Sequence, residues 1–158
     1  MIRVIACGKV KEKWMREGIQ EYMKRIQPYE KVECIEVNDE KAPESNSEAD
    51  NMKVKKVEGE RILKQIKDDD YVVLLDLAGK EIDSVALSKK IESIHTNGYN
   101  RIDFVIGGSL GVSDALIQRA NIRWRISVNT FPHQLCRIIV LEQIYRAFRI
   151  QHNEPYHK

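Results

Sequence analysis

The sequence lacks the features that mark disulfide-rich, zinc-binding and membrane proteins. Its cysteines, Cys7, Cys34 and Cys136, are odd in number and form no CxxC pair, so neither a disulfide framework nor a zinc site is indicated. Its apolar runs reach only about five residues, as in 71–75, too short for a signal-peptide core or a membrane span. The sequence therefore predicts a cytoplasmic protein that binds no metal and no membrane.

The chain also lacks a charge excess of one sign, because 26 basic and 24 acidic side chains leave a net charge of +2. The charge is unevenly distributed, however. Residues 119–158 hold seven Lys/Arg against two Asp/Glu, whereas residues 31–118 hold twelve against eighteen. The basic C-terminal quarter favours contact with an anion such as RNA, although a solvated surface has the same composition.

What is present is the length and composition of one globular domain, 1–158, with 42% hydrophobic residues. Apolar, β-branched runs predict strands at 2–7, 32–37, 71–77 and 102–106, with a weaker fifth at 121–128. Helical periodicity predicts helices at 11–26, 53–66 and 84–95, a short one after Ser113, and a longer one from about Pro132 to Ile150. The polar stretch 38–51 predicts an exposed loop. This alternation indicates an α/β domain with a mostly parallel sheet flanked by helices.

Three predicted strand ends attract attention, because ligands of open α/β sheets bind beyond the carboxyl ends of the strands. They are LDLAG at 75–79, IGGSLG at 106–111 and ISVNTFP at 126–132. The glycine turn is not GxGxxG and no ribose-binding acid follows it, so a nicotinamide site is disfavoured. Gly8-Lys9 lacks the rest of a P-loop. From the residues alone, the glycine turn is either a structural bend or a ligand cradle.

The last predicted helix carries apolar residues on much of its surface, which indicates that it is sandwiched between two surfaces, one of them supplied by another subunit. His133 and Arg137 share one face, and Glu142 and Arg146 have the spacing of a helix-stabilising ion pair. A histidine near a helix start is also a common structural hydrogen-bonding group. The polar tail 151–158 would ordinarily fray, or it could order over a ligand.

Taken together, seven motifs resemble the RlmH family, ribosomal RNA large-subunit methyltransferases of the SPOUT superfamily. They are ACGKVKEKW at 6–14, EKAPE at 40–44, EGERIL at 58–63, LDLAGK at 75–80, FVIGGSLG at 104–111, FPHQLCRIIVLEQIYRAFRI at 131–150 and PYHK at 155–158. The resemblance covers essentially the whole chain. It implies a homodimeric SPOUT α/β-knot fold whose C-terminal part forms a trefoil knot that binds S-adenosylmethionine, a topology that strand-and-helix patterns alone do not predict.

The resemblance also implies an activity, methylation of N3 of a pseudouridine in 23S rRNA of assembled ribosomes. The methyl-donor site that it implies comprises Leu75, Gly107, Ile126, Ser127, Val128, Asn129, Thr130 and Phe131. N3 of a neutral uracil-type ring carries a proton that must be accepted. The candidate catalytic residues for this step are His133, Tyr156 and His157.

For contact with rRNA, basic residues near both chain ends are the candidates. They are Lys9, Lys11, Lys13, Arg137, Arg146, Arg149 and Lys158, with Arg123 and Arg125 as further ones. Two other classes stay open from the residues alone: a different nucleotide-using enzyme on a Rossmann-like sheet, and a ribosome-binding factor without catalysis. Within the SPOUT superfamily, a ribose 2′-O-methyltransferase is the nearest alternative.

Overall fold

The apolar runs of the sequence pair side by side in one sheet. The structure is a computed structural model, and it describes residues 1–42, 44–45 and 47–158. Its strands are β1 (Ile2–Cys7), β2 (Val32–Val37), β3 (Tyr71–Glu81), β4 (Ile102–Ile106) and β5 (Ile122–Arg125). They pair in parallel in the order β2-β1-β4-β3-β5. The central strands β1 and β4 are buried along their whole length, as expected of a parallel sheet covered on both faces.

Helices cover both faces of this sheet. They are α1 (Lys13–Ile26), α2 (Glu48–Leu63), α3 (Ser84–Thr96), α4 (Asp114–Arg119) and α5 (His133–Gln151). One core joins the sheet to α1, α3 and α5, with Phe104 and Trp124 in edge-to-face contact at 6.3 Å. A smaller core joins the other face to α2 and α4 through Ile62 and Leu116. The predicted α/β class, a mostly parallel sheet flanked by helices, is confirmed.

Two strand boundaries differ from the sequence prediction. β3 continues past Leu77 to Glu81, because Lys80 and Glu81 pair with Trp124 and Arg125 of β5. Long-range pairing thus extends a strand through polar residues whose composition does not favour it. β5 ends at Arg125 rather than at residue 128, and Ser127 instead accepts a local hydrogen bond from the Asn129 N–H at 3.0 Å.

The loop between β2 and α2 is shorter than predicted, because α2 begins at Glu48 rather than at Lys53. Ser47 caps the helix by accepting from the Asp50 N–H at 3.2 Å, and both Glu48 and Asp50 lie in the first turn. These acidic residues favour a helix N-terminus through the helix dipole. Pro43 and Asn46 of the predicted loop lie outside the described residues.

Helix α5 lies between α1 and α3 within one chain. On one side, Ile138 packs beside Gly18 of α1. On the other, Ser88 of α3 donates to the carbonyl of Ala147 at 2.9 Å. The chain itself therefore supplies both of these surfaces, and contact of α5 with another subunit stays a prediction.

A buried ionic network lies at the amino edge of the sheet. Arg3 donates to Asp103 at 2.7 Å and to Asp70 at 3.0 Å, and Arg101 donates to Asp70 at 2.7 Å. Arg3 and Asp103 are also register partners on β1 and β4. Because a shifted register would leave a buried carboxylate unpaired, this network fixes the alignment of the central strands. Among the described residues, no helix is both long and apolar enough to span a membrane.

Candidate active site

The carboxyl ends of β3, β4 and β5 open into one cavity of about 570 Å³. The three strand-end segments that the sequence singled out therefore meet at one place. Seven of the eight residues that the resemblance assigns to the methyl donor lie in its wall: Leu75, Gly107, Ile126, Ser127, Asn129, Thr130 and Phe131. The eighth, Val128, is 71% exposed and lies outside this wall.

The first wall is an excursion in the middle of β3. Leu75 and Lys80 both pair with Trp124, so residues 76–79 bulge out of the ladder towards the cavity. Asp76 fixes the bulge, because its carboxylate accepts from the Ala78 N–H at 2.9 Å and from Arg123 at 2.7 Å. A Cβ at position 79 would come within 2.6 Å of the Arg123 backbone, so the return to the sheet requires glycine.

The second wall is the glycine turn after β4. The Gly111 N–H donates to the Gly108 carbonyl at 3.1 Å, and Gly111 has a φ of +99°. A Cβ on Gly107 would lie 2.9 Å from the Gly111 carbonyl oxygen, and one on Gly108 would lie 2.6 Å from Glu58 Oε1. The turn therefore presents bare backbone to the cavity, as a ligand cradle requires.

Glu58 of α2 supports the glycine turn from behind. Only 4% of the residue is exposed, and its Oε2 accepts from the Glu40 N–H at 3.0 Å and from the Cys7 thiol at 3.1 Å. Burial and the bond to Glu58 raise the pKa of Cys7 to about 12, so the thiol stays a hydrogen-bond donor at neutral pH. Oε1 has no hydrogen-bond partner among the described residues and lies against Gly108.

The third wall leads directly into α5. Ile126 packs against the larger core, whereas 128–130 form the exposed part of the loop. His133 follows at the first position of α5, whose N-cap residue, Pro132, makes no capping side-chain hydrogen bond. Burial, followed by the positive charge of Arg137, lowers the pKa of His133. The half-buried imidazole is therefore neutral at pH 7 and able to accept a proton from a group in the cavity.

The sequence is similar to a known family of methyltransferases over nearly its whole length. A family model described as a predicted SPOUT methyltransferase matches residues 1–157. The chain belongs to this SPOUT methyltransferase family. Curated relatives named Ribosomal RNA large subunit methyltransferase H are 50% identical in Enterococcus faecalis, 52% in Bacillus pumilus and 51% in Clostridium acetobutylicum, each over 99% of both chains.

A solved structure supports the SPOUT fold. It is that of a probable methylase family protein from Haemophilus influenzae, with a TM-score of 0.52 and 15% sequence identity. The match covers 96% of this chain and 66% of that protein. At this identity the likeness supports the fold alone.

Among the cations expected to meet RNA, Arg137 is a structural residue of this SPOUT domain. It is only 3% exposed, and its guanidinium donates to Glu36 at 2.6 Å and to the carbonyls of Cys7 and Gly8 at 3.0 and 2.6 Å. A guanidinium enclosed in this way has no face left for a phosphate. The expectation that Arg137 contacts RNA is therefore wrong.

The amino-terminal lysines follow β1 at the same edge of the sheet as the donor cavity. Lys9 and Lys11 are exposed and line a second cavity beside the first. Lys13 is 3.7 Å from Glu17 on the solvent face of α1. Arg123 is bonded to Asp76, and Arg125 lies in the wall of the first cavity, so these two cations position the β3 bulge and the cavity wall.

The C-terminal tail folds back onto α5 rather than fraying. Tyr156 donates to Glu142 at 3.0 Å, and Arg146, itself bonded to Glu142, lies over the Tyr156 ring and donates to His157 at 3.2 Å. The tail is held by Glu142 and Arg146, whose spacing predicts a helix-stabilising ion pair. Arg149 is bonded to Glu154 and Tyr29, and Lys158 is exposed at the chain end.

The tail lies away from the first cavity of its own chain. His133 and Glu142 are nine residues apart on α5, which corresponds to about 13 Å along the helix. Neither Tyr156 nor His157 lies in the walls of the two cavities. Burial and the bond to Glu142 raise the pKa of Tyr156 to about 12, so this phenol keeps its proton at neutral pH.

Sequence reasoning missed two residues of the site, Asp76 and Glu58. Asp76 follows directly after the apolar run of β3, where a carboxylate at a strand end is itself a signal. For Glu58 the signal is the spacing of Val54, Glu58 and Ile62, four residues apart on the buried face of α2. A carboxylate on an apolar stripe indicates a buried polar network.

Proposed function

We propose that this chain transfers a methyl group from S-adenosylmethionine to N3 of a pseudouridine in 23S rRNA of assembled ribosomes in the cytoplasm. The relatives named Ribosomal RNA large subunit methyltransferase H, 50–52% identical end to end, support methylation of rRNA. The observation that carries the proposal is the cavity itself. It brings together three strand-end segments that are separate in the sequence, 75–79, 106–111 and 126–132.

The cavity fits a nucleoside-sized methyl donor. Its volume, about 570 Å³, lies within the range of small-molecule sites, roughly 300–1,000 Å³. Leu75, Ile106 and Ile126 supply apolar surface for an adenine ring, and the backbone of the glycine turn offers polar groups at close range. The donor supplies a methyl group on a positively charged sulfur that leaves as a neutral thioether.

The chain's own contribution to the chemistry is alignment and proton acceptance. As N3 bonds to the methyl carbon and the carbon–sulfur bond breaks, the N3 proton passes to His133. His133 suits this role because it lies in the cavity wall and burial keeps it neutral. Tyr156 does not suit it, since its raised pKa keeps the phenol protonated. The methyl transfer needs no metal.

The proposal includes a homodimer. An apolar rim borders the donor cavity, with Leu77 60% and Val128 71% exposed, and such a rim favours burial against another protein surface. The tail with Tyr156 and His157 is too far from its own cavity, so these residues reach a donor site only in a second copy of the chain. Sedimentation of the free protein at about twice the chain mass of 18.4 kDa supports this arrangement, and a monomer at assay concentration contradicts it.

A trefoil knot in the C-terminal part also belongs to the proposal. Its support is the match of the chain to the SPOUT methyltransferase family, together with a cavity wall in which the turn after β4 and the loop after β5 meet beside the β3 bulge. A knotted chain must thread its end during folding. We expect refolding from urea to be slower than refolding of a circularly permuted variant opened within 76–79.

The decisive experiment supplies ribosomes lacking the modification, together with methyl-labelled donor, and identifies the labelled nucleoside by mass spectrometry. N3-methylpseudouridine supports the proposal. A ribose 2′-O-methyl product, or ribosome binding without transfer, overturns it in favour of another SPOUT activity or of a non-catalytic ribosome-binding factor. Titration calorimetry with S-adenosylmethionine and with a nicotinamide dinucleotide separates it from a different nucleotide-using enzyme.

A further inference from the structure

A second cavity of about 660 Å³ lies beside the donor cavity, beyond the carboxyl ends of β1 and β2. Its wall includes Lys9 and Lys11 after β1, Asp39 after β2, Arg61 of α2 and His133 of α5. His133 also lines the first cavity. The two cavities thus share one wall, and the side chain in that wall is the proton acceptor of the proposed function.

Buried polar residues hold the loops of this second cavity in place. On one side, Arg137 donates to the carbonyls of Cys7 and Gly8 and to the carboxylate of Glu36. The same carboxylate accepts from the Val10 N–H at 3.1 Å. Gly8 has a φ of +88°, a conformation that favours glycine. These contacts therefore fix the backbone conformation of the turn that carries Lys9.

The opposite wall is held in the same manner. Glu58, 4% exposed, accepts from the Glu40 N–H and from the Cys7 thiol. Arg61 donates to the Asn38 carbonyl at 3.0 Å and is paired with Glu40. Charged side chains are costly to bury, so the use of buried Glu58 and Arg137 to fix two loops around a cavity indicates a preorganised binding site.

The charges in the cavity define the class of ligand. Lys9 and Lys11 make no ion pair with any of the described residues, so two exposed ammonium groups stay available for phosphate oxygens. Asp39 is likewise exposed at this wall, and its carboxylate offers an acceptor for an N–H group. It lies close enough to His133 for its negative charge to act on the pKa of the imidazole. A nucleotide combines these features, since its phosphates need cations and its base carries N–H donors.

We propose that the second cavity receives the nucleotide that is methylated, with its flanking phosphates at Lys9 and Lys11 and its base between Asp39 and His133. The inference rests on the proposed function. A base held there lies next to the methyl donor where the two cavities meet, and His133, the group that accepts its proton, lines both cavities. A nucleotide paired in a helix cannot enter such a cavity, so the target must be extruded from its stack or lie in an unpaired loop.

The test compares the double variant K9S/K11S with the control K31S/K89S. The control removes the same charge from exposed lysines before β2 and on α3. For K9S/K11S we expect the KM for ribosomes to rise at least about tenfold and the salt slope of log KM to fall by about one to two, since each lost phosphate contact removes somewhat less than one unit. The Kd for S-adenosylmethionine and the urea midpoint should match wild type.

The variant Asp39→Asn tests the position of the base. Pseudouridine has an N1–H donor that uridine lacks, so D39N should reduce kcat/KM more on ribosomes carrying pseudouridine than on those carrying uridine. A K9S/K11S enzyme with the control's KM and salt slope overturns the inference, as does D39N with wild-type kcat/KM. Failure of the proposed function itself is a separate result, because then the wild-type enzyme transfers no methyl group.

Discussion

Replacing Arg137 by methionine separates a structural from an RNA-binding role for the most deeply buried cation of the C-terminal helix. The change removes the hydrogen bonds to the carbonyls of Cys7 and Gly8 and the ion pair with Glu36. The two carbonyls are buried, and each loses its partner at a cost of about 1–3 kcal/mol. The Glu36 side chain is 43% exposed and can be hydrated by water, so loss of its ion pair costs only about 0–1 kcal/mol.

Together these losses amount to about 2–7 kcal/mol, of which the methionine recovers part by avoiding burial of a charge, so Arg137→Met should lower the free energy of unfolding by about 2–5 kcal/mol. For a urea slope of about 2 kcal/mol per molar, the midpoint falls by roughly 1–2.5 M. Fluorescence of the buried Trp124 follows the transition. The control is Arg25→Met, which removes an exposed guanidinium that pairs with Glu21 and lies over the rings of Tyr22 and Tyr145, and it should change stability by less than about 1 kcal/mol.

The KM for ribosomes tests the alternative, an RNA-binding role for Arg137. Lys9→Ser should leave the urea midpoint at the wild-type value and raise the KM for ribosomes. Arg137→Met should move the midpoint. An Arg137→Met protein with wild-type stability and a reduced salt slope for ribosome binding would show that the guanidinium contacts RNA after all, and the structural reasoning would be refuted.

Three further changes follow from the same contacts. Gly79→Ala forces a Cβ to within 2.6 Å of the Arg123 backbone, so we expect a loss of about 1–3 kcal/mol in urea unfolding and weaker donor binding by calorimetry; unchanged values would mean that the bulge adjusts freely. Arg3→Met leaves Asp103 buried without its partner and should cost about 3–5 kcal/mol at pH 7, against little for Arg25→Met. The rate of methyl transfer should fall on acidification only below pH 6.5, because the pKa of His133 is lowered from that value and the protonated ring cannot accept the N3 proton. If the residual rate of His133→Ala still falls below pH 6.5, the loss of activity belongs to another group.

The sequence predicted the sheet well because its strands depend on local composition. β1, β2 and β4 have the predicted boundaries, since each is a short β-branched run enclosed by polar residues. The extension of β3 to Glu81 was missed because Lys80 and Glu81 gain a strand conformation only from pairing with β5. Composition does not contain that information, because the partner lies more than 40 residues away.

The donor cavity was predictable in part. The rule that ligands lie at the carboxyl ends of parallel strands indicated the three segments, and the family resemblance named their residues. The position of Val128 outside the wall depends on how the loop turns after Ser127, which one side-chain hydrogen bond decides. The second cavity joins segments after β1 and β2 with the start of α5, and no single motif of the sequence spans them.

A signal for the second cavity nevertheless exists in the sequence, in charged residues on apolar helical stripes. Arg137 has the spacing of Leu141, Ile144 and Phe148 on α5, and Glu58 has the spacing of Val54 and Ile62 on α2. A helix places such a residue against the core, where its charge must find fixed partners. The partners of Arg137 and Glu58 lie at the carboxyl ends of β1 and β2 and in the loops that follow these strands, at one edge of the sheet. A charge on a buried stripe therefore indicates which backbone it holds, and here that backbone forms part of the wall of the second cavity.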